Sequence, residues 1–170
     1  GRQFISLAAH PTNSNVIYGG ELHLGVYRGV YSSGNYTWTQ YSNGVTSIMV
    51  WDIAIDPNNS THYLAATEAG VYEKLGAGAW TQRGSFLYSS AFSVAFDPSS
   101  STTYYAGTEG RLYKTTNGGT SWTYAGLSGR VNDIAIDGTT VFVTTKTPGR
   151  VYRSSNGGSS FTNVTPTGAD

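Results

Sequence analysis

The chain has 170 residues, with 10 Lys+Arg against 10 Asp+Glu, so its formal net charge is zero. The basic residues are scattered, which leaves no electrostatic footprint for nucleic acid or an anionic membrane surface. The absence of Cys excludes a disulfide framework and thiolate metal chemistry, and no apolar run approaches the ~18 residues of a membrane span.

The first predicted strand is "FISLAAHP" at 4–11, followed by the polar turn "TNSN", a second strand "VIYGG", a third "GVYRGVY" and a fourth "YTWTQY". The order then repeats. "VWDIAIDP" at 50–57 leads through "NNST" into "HYLAAT" and "GVYEKL". "AFSVAFDP" at 91–98 leads through "SSST" into "TYYAGT", "RLYKTT" and the segment "TTNGGTSWTYAG" at 115–126. The last unit runs "VNDIAIDG" at 131–138, "VFVTT", "RVYRSS" and "SSNGGSSFTNV" at 154–164. Apolar residues alternate with period two and no segment shows helical periodicity, so every element reads as a strand. Pro after Asp closes the first strand of the middle units, because it has no amide to donate to a ladder.

Two aromatic ladders fix the period. Trp38, Trp80, Trp122 and Phe161 are separated by 42, 42 and 39 residues, and Tyr27, Tyr72, Tyr113 and Tyr152 by 45, 41 and 39. Four short strands in a unit of about 40 residues indicate a blade of a β-propeller. The predicted fold is therefore all-β, a single four-blade propeller over 1–170 with blades near 1–44, 45–85, 86–127 and 128–170. Roughly 70% of the unfolded surface can be buried at this length, enough for one domain.

The turns that precede the fourth-strand aromatics resemble the Asp-box, or BNR, repeat of sialidases, xyloglucanase-type glycoside hydrolases, Vps10-type sorting receptors and photosystem assembly factors. The pattern is roughly Ser-x-Asp-x-Gly-x-Ser/Thr-Trp. It is best matched at "TTNGGTSW" and "SSNGGSSF", fairly at "SSGNYTW", and has decayed at "KLGAGAW"; Asn117 and Asn156 stand at the usual Asp. The resemblance covers the whole chain and implies the propeller fold. It leaves function open, because the repeat occurs in enzymes and in binding proteins alike. The turn itself reads as structural: an Asx side chain bonds amides across it, Gly supplies positive φ, and the aromatic folds over the hairpin.

Propeller topology brings strand-one starts and strand-two exits to one channel-facing rim. Asp52 and Asp133 hold the first position type, with Ser6 and Ser93 in the other units; Glu21, Glu68 and Glu109 hold the second, with Lys146 in the fourth. Each carboxylate reads either as a ligand contact or as a side chain bonding its own turn amides. Trp51 lies outside both ladders, beside Asp52, where it either stacks on a sugar face or fills the gap between blades. Xyloglucanase-type hydrolases carry a catalytic Asp after strand two, and "YGGELHLGVYRG" at 18–29 is similar, with Glu21 near that place. The Arg-Thr that precedes the Asp in the family is absent, Glu replaces Asp, and Glu68 and Glu109 repeat the feature. A glycosidase also needs two carboxylates about 5–9.5 Å apart across a cleft. A sialidase reading is weaker still: Arg28, Arg111, Arg150 and Arg153 flank the third strands at repeat-related places instead of forming a substrate cluster. His10, His23 and His62 have no ligand spacing and no local partner motif, so neither metal nor cofactor is expected.

The functional expectation is a non-catalytic binding or scaffold module for a glycan or protein ligand, with no catalytic residue, no nucleic-acid partner and no membrane insertion. The alternative is a glycoside hydrolase of xyloglucanase type, or a fragment of one, with Glu21 as its acid. Charged residues at 12%, about half the usual ~25%, fit a secreted or cell-surface protein. Gly1 opens the chain without Met, which suggests a processed chain or a piece of something longer. Sequons at Asn35, Asn58, Asn59 and Asn163 read as chance products of a Ser/Thr/Asn-rich chain. Four repeats leave three assemblies open: a compact ring, a homo-oligomer of eight blades, or an arc completed by further blades.

Overall fold

Sixteen strands follow one another with no helix between them in a computed structural model that describes residues 2–47, 49–83 and 90–168. They are β1 (Phe4–Ala9), β2 (Val16–Glu21), β3 (Gly25–Ser32) and β4 (Asn35–Gln40); β5 (Val50–Asp56), β6 (Asn59–Thr67), β7 (Gly70–Leu75) and β8 (Thr81–Arg83). The second half holds β9 (Ala91–Asp97), β10 (Ser100–Thr108), β11 (Arg111–Thr115) and β12 (Thr123–Ser128), then β13 (Val131–Asp137), β14 (Thr140–Lys146), β15 (Gly149–Ser154) and β16 (Thr162–Asn163). Each group of four forms one antiparallel sheet in sequence order, so the chain is an all-β protein of four propeller blades. The expected boundary at 85/86 lies outside the described residues, and that at 127/128 falls at the last residue of β12.

The inner strands β1, β5, β9 and β13 stand side by side, each blade packing on the next. Three cores fill the three junctions. Tyr18 and Val26 of the first blade meet Ile53, Tyr63, Tyr72 and Trp80 of the second. Leu64 and Val71 meet Val94, Phe96 and Tyr104 at the next junction, and Tyr105 and Leu112 meet Ile134, Val141 and Val143 at the last. Alternation in the strands causes this: odd and even positions of one blade serve opposite junctions. Among the described residues no comparable packing joins β13 back to β1, so the four blades form an arc that does not close on itself.

The aromatic ladder holds its register. Tyr27, Tyr72, Tyr113 and Tyr152 pair with Gln40, Gln82, Tyr124 and Asn163, and the ladder aromatic lies two residues before each partner. Only Trp38 is inside its strand; Trp80, Trp122 and Phe161 come immediately before β8, β12 and β16, because pairing with the third strand begins one residue after the aromatic in those blades. Trp80 is 3% exposed and donates its indole N–H to the Tyr41 carbonyl at 2.7 Å.

The Asn-Gly-Gly turns show why that sequence recurs. Asn117 accepts the Ser121 amide at 2.9 Å and donates to the Ser121 hydroxyl at 2.8 Å, and Asn156 does the same with Ser160 at 3.0 Å in both bonds. Gly157 and Gly158 both have positive φ, 63° and 79°, where a side chain is strained. The turn also ties blades together: the Gly157 carbonyl accepts the Tyr105 hydroxyl and the Lys114 ammonium of the preceding blade, each at 2.8 Å.

Candidate functional site

The inner strands share a local irregularity. Near the start of each, the ladder to the second strand skips one residue, leaving Ile5, Trp51, Phe92 and Asn132 outside the pairing as β-bulges. A bulge bends its strand and re-aims the extra side chain, which is why bulges gather at strand ends and at sites. Here two successive blades present aromatic rings: Trp51 and Phe92 lie 5.6 Å apart at 45°. The Arg130 guanidinium sits 3.9 Å from the centre of the Phe92 ring, and its Nη1 is 3.7 Å from the Glu109 carboxylate. The indole Nε1 of Trp51 and the Nε of Arg130 are buried donors with no hydrogen-bond partner.

The residues after the bulges are Ser6, Asp52, Ser93 and Asp133. Asp52 accepts the Ile53 amide at 2.8 Å, the Val94 amide at 3.0 Å and the Ser93 hydroxyl at 3.1 Å. Ser93 lies 3.5 Å from Asp133, which accepts the Ile134 amide at 2.9 Å. Three blades are thereby linked through one hydroxyl between two carboxylates. Burial raises the Asp52 pKa and the charge of Asp133 adds to it, against the bonds from Val94, Ser93 and Ile53.

The five expected carboxylates do not converge on one point. Asp52 and Asp133 are joined through Ser93, and Glu109 reaches the Trp51–Phe92 string through Arg130. Glu21 is 2% exposed and accepts the amides of Gln3 at 2.8 Å and His23 at 2.6 Å. Those two bonds lower its pKa and hold it ionised, which suits a turn-bracing carboxylate and not a proton donor. Glu68 is exposed, with the Ser47 hydroxyl 3.4 Å away. His10 takes over the Asp role of the strand-one turn, its Nδ1 accepting the Thr12 amide at 3.3 Å, where Asp56 accepts Asn58 at 2.8 Å.

A buried ionic cluster in the second blade has no counterpart in the expected site. His62 stands between Asp56, 3.2 Å from Nδ1, and Glu73, 2.8 Å from Nε2; only the doubly protonated ring donates at both. Glu73 also takes the Arg83 guanidinium at 2.7 Å and the Tyr104 hydroxyl at 3.2 Å. Burial works to raise its pKa, but the hydrogen bonds and charges of His62 and Arg83 prevail and lower it. The signal is in the sequence: Glu73 occupies the third-strand place that is Arg28, Lys114 and Arg153 in the other blades. The cluster lies between blades two and three, remote in register from the strand-one starts. Phe92 and Arg130 were likewise missed, because alternation alone does not reveal a bulge.

Among the described residues no three His, Cys, Asp or Glu side chains are grouped to hold a metal, and no helix is long and apolar enough to cross a membrane. No family model matches the sequence, and a search of the curated proteins finds no match. Solved structures do match. An ancestral GH74 enzyme aligns over 100% of this chain and 25% of its own, with TM-score 0.79 and 21% identity. The GH74 enzyme of Niastella koreensis aligns over 98% of this chain and 30% of its own, with TM-score 0.76 and 22% identity. The GH74 xyloglucanase from Xanthomonas campestris aligns over 100% of this chain and 31% of its own, with TM-score 0.76 and 15% identity. The chain therefore spans a quarter to a third of these proteins, and the likeness establishes the propeller fold.

Proposed function

We propose that the chain is a non-catalytic, extracellular propeller module that binds a glycan along the rim where the inner strands begin. The observation that carries this reading is the pair of bulges that set Trp51 and Phe92 side by side outside the ladder. Aromatic faces stack on the C–H faces of sugar rings, and the Trp51 and Phe92 rings are both only partly buried. Asp52 and Asp133 supply acceptors beside them. Zero net charge favours a neutral glycan over a polyanion.

Titration calorimetry with neutral oligosaccharides, xyloglucan fragments first, tests it. Trp51→Ala should weaken binding at least about tenfold while the fold, read by circular dichroism, is unchanged. Binding unaffected by Trp51→Ala and Phe92→Ala would remove the site.

A second reading, part of a glycoside hydrolase, is favoured by the likeness of the fold to GH74 enzymes. It requires a proton donor, and Glu21, braced by two amides, is a poor one. Release of reducing sugar from xyloglucan by the wild-type chain, lost in Glu21→Gln, would replace the binding reading with this one.

A further inference from the structure

Three Asn-Gly pairs occur in the chain, at 43–44, 117–118 and 156–157. An Asn side-chain amide is most open to attack by the next backbone nitrogen when Gly follows, because Gly has no side chain to crowd the approach. All three Asn residues are exposed, so access to water does not separate them. Their bonds do. The Asn117 side chain holds the Ser121 amide and hydroxyl and takes the Thr115 hydroxyl at 3.0 Å, and the Gly118 amide donates to the Thr102 carbonyl at 3.0 Å. Asn156 is locked in the same way by Ser160 and by the Ser154 hydroxyl at 2.8 Å, with the Gly157 amide on the Thr139 carbonyl at 2.9 Å. Among the described residues the Asn43 side chain and the Gly44 amide make no hydrogen bond.

The free pair sits in the linker that carries the chain from β4 of the first blade to β5 of the second. There the Val45 amide donates to the Ser42 carbonyl at 2.8 Å and Gly44 has φ 93°, a type II turn. The linker clasps the buried Trp80 of the second blade. Its Tyr41 carbonyl takes the Trp80 indole N–H at 2.7 Å, its Asn43 carbonyl takes the Trp80 amide at 2.8 Å, and Gly44 lies so close that a Cβ there would collide with the Trp80 carbonyl. A change of backbone length at Asn43 therefore acts on the junction between blades one and two.

We infer that Asn43 is a site of spontaneous modification, at which deamidation through a cyclic imide yields Asp and isoAsp, and that the isoAsp product loosens this junction. In the first step the Gly44 nitrogen bonds to Cγ of Asn43, the Cγ–Nδ2 bond breaks, and the side-chain nitrogen leaves as ammonia with the proton that Gly44 gives up. Water then opens the imide. Cleavage between Cγ and the Gly44 nitrogen gives Asp, and cleavage at the former main-chain carbonyl gives isoAsp, with no oxidation or reduction in either. The isoAsp product runs its main chain through Cγ, one methylene longer, and the carbonyl that held the Trp80 amide becomes a carboxylate outside the main chain. Ring closure at Asn43 requires rotation about its Cα–C bond, which gives up the bonds from Trp80 and Val45; at Asn117 or Asn156 it gives up three side-chain bonds and that of the Gly amide. None of these residues belongs to the proposed glycan site, so the two readings stand or fall separately.

The test is to hold the folded chain in warm, mildly alkaline buffer and map its peptides by mass spectrometry over time, telling isoAsp from Asp by electron-transfer fragmentation, with a urea-unfolded sample as control. Asn43 should convert at least about tenfold faster than Asn117 and Asn156 in the folded chain, and all three at similar rates in the unfolded one. Separated by ion exchange, the isoAsp product should unfold at lower urea than freshly prepared Asn43→Asp, which gains the same charge on an ordinary backbone. Conversion of Asn117 or Asn156 as fast as Asn43 in the folded chain, an unreacted Asn43 over a time that converts the unfolded control, or an isoAsp product as stable as Asn43→Asp would each overturn the inference.

Discussion

Replacing Glu73 with Gln tests the buried ionic cluster of the second blade. The Glu73 carboxylate is 4% exposed and receives His62 at 2.8 Å, Arg83 at 2.7 Å and the Tyr104 hydroxyl at 3.2 Å. Removing the charge from a buried pair costs about 3–5 kcal/mol, because the cationic partner is left uncompensated. Here the Arg83 side chain is 35% exposed, so solvent screens that arm and it contributes about 1 kcal/mol or less; the rest of the loss falls on the buried hydrogen bonds that His62 and Tyr104 make to the carboxylate. Glu73→Gln should therefore cost about 3 kcal/mol and Arg83→Ala about 1 kcal/mol in urea melts at pH 7. The sign with pH follows from the lowered pKa: the unfolded chain takes up the proton first, so the stability from Glu73 is present above the ordinary carboxylate range and lost as pH falls through the folded value. The gap between wild type and Glu73→Gln should close under acid. A loss below about 0.5 kcal/mol at pH 7, or a gap that widens on acidification, would refute the account of the cluster.

Asp52 should show the opposite sign: its raised pKa means its ionised form weakens the fold above that value, so Asp52→Asn should bring less loss at pH 7 than at pH 4 in parallel melts. Trp80→Ala should cost about 3–5 kcal/mol, since the ring is 3% exposed and the Tyr41 carbonyl is orphaned; Trp38→Ala, at the partly exposed end of the ladder, should cost less than half as much in the same denaturant series. Asn156→Ala should lose about 1–2 kcal/mol, because three bonds across the turn depend on its amide, and Asn156→Asp, the residue usual in the repeat, should stay within about 0.5 kcal/mol.

The blades were legible in the sequence because their causes are local. Period-two alternation, Asp-Pro stops and the Asn-Gly-Gly turns act within a few residues, and "VWDIAIDP" and "AFSVAFDP" each contain the whole of their inner strand. The two aromatic ladders then set the register, which the strand pairing reproduces rung by rung. Three things were decided only by tertiary structure. The bulges that turn out Trp51 and Phe92 arise from a mismatch between two strands, a property that neither strand carries alone. The His62–Glu73 contact joins residues that alternation cannot pair, since the bond is diagonal between strands, and its anchor Arg83 comes from a third. Openness of the arc is the last: Leu7 reads in sequence like Ile53, Val94 and Ile134, and what separates them is whether another blade lies against the face, since burial depends on what packs there and not on the residue's own strand.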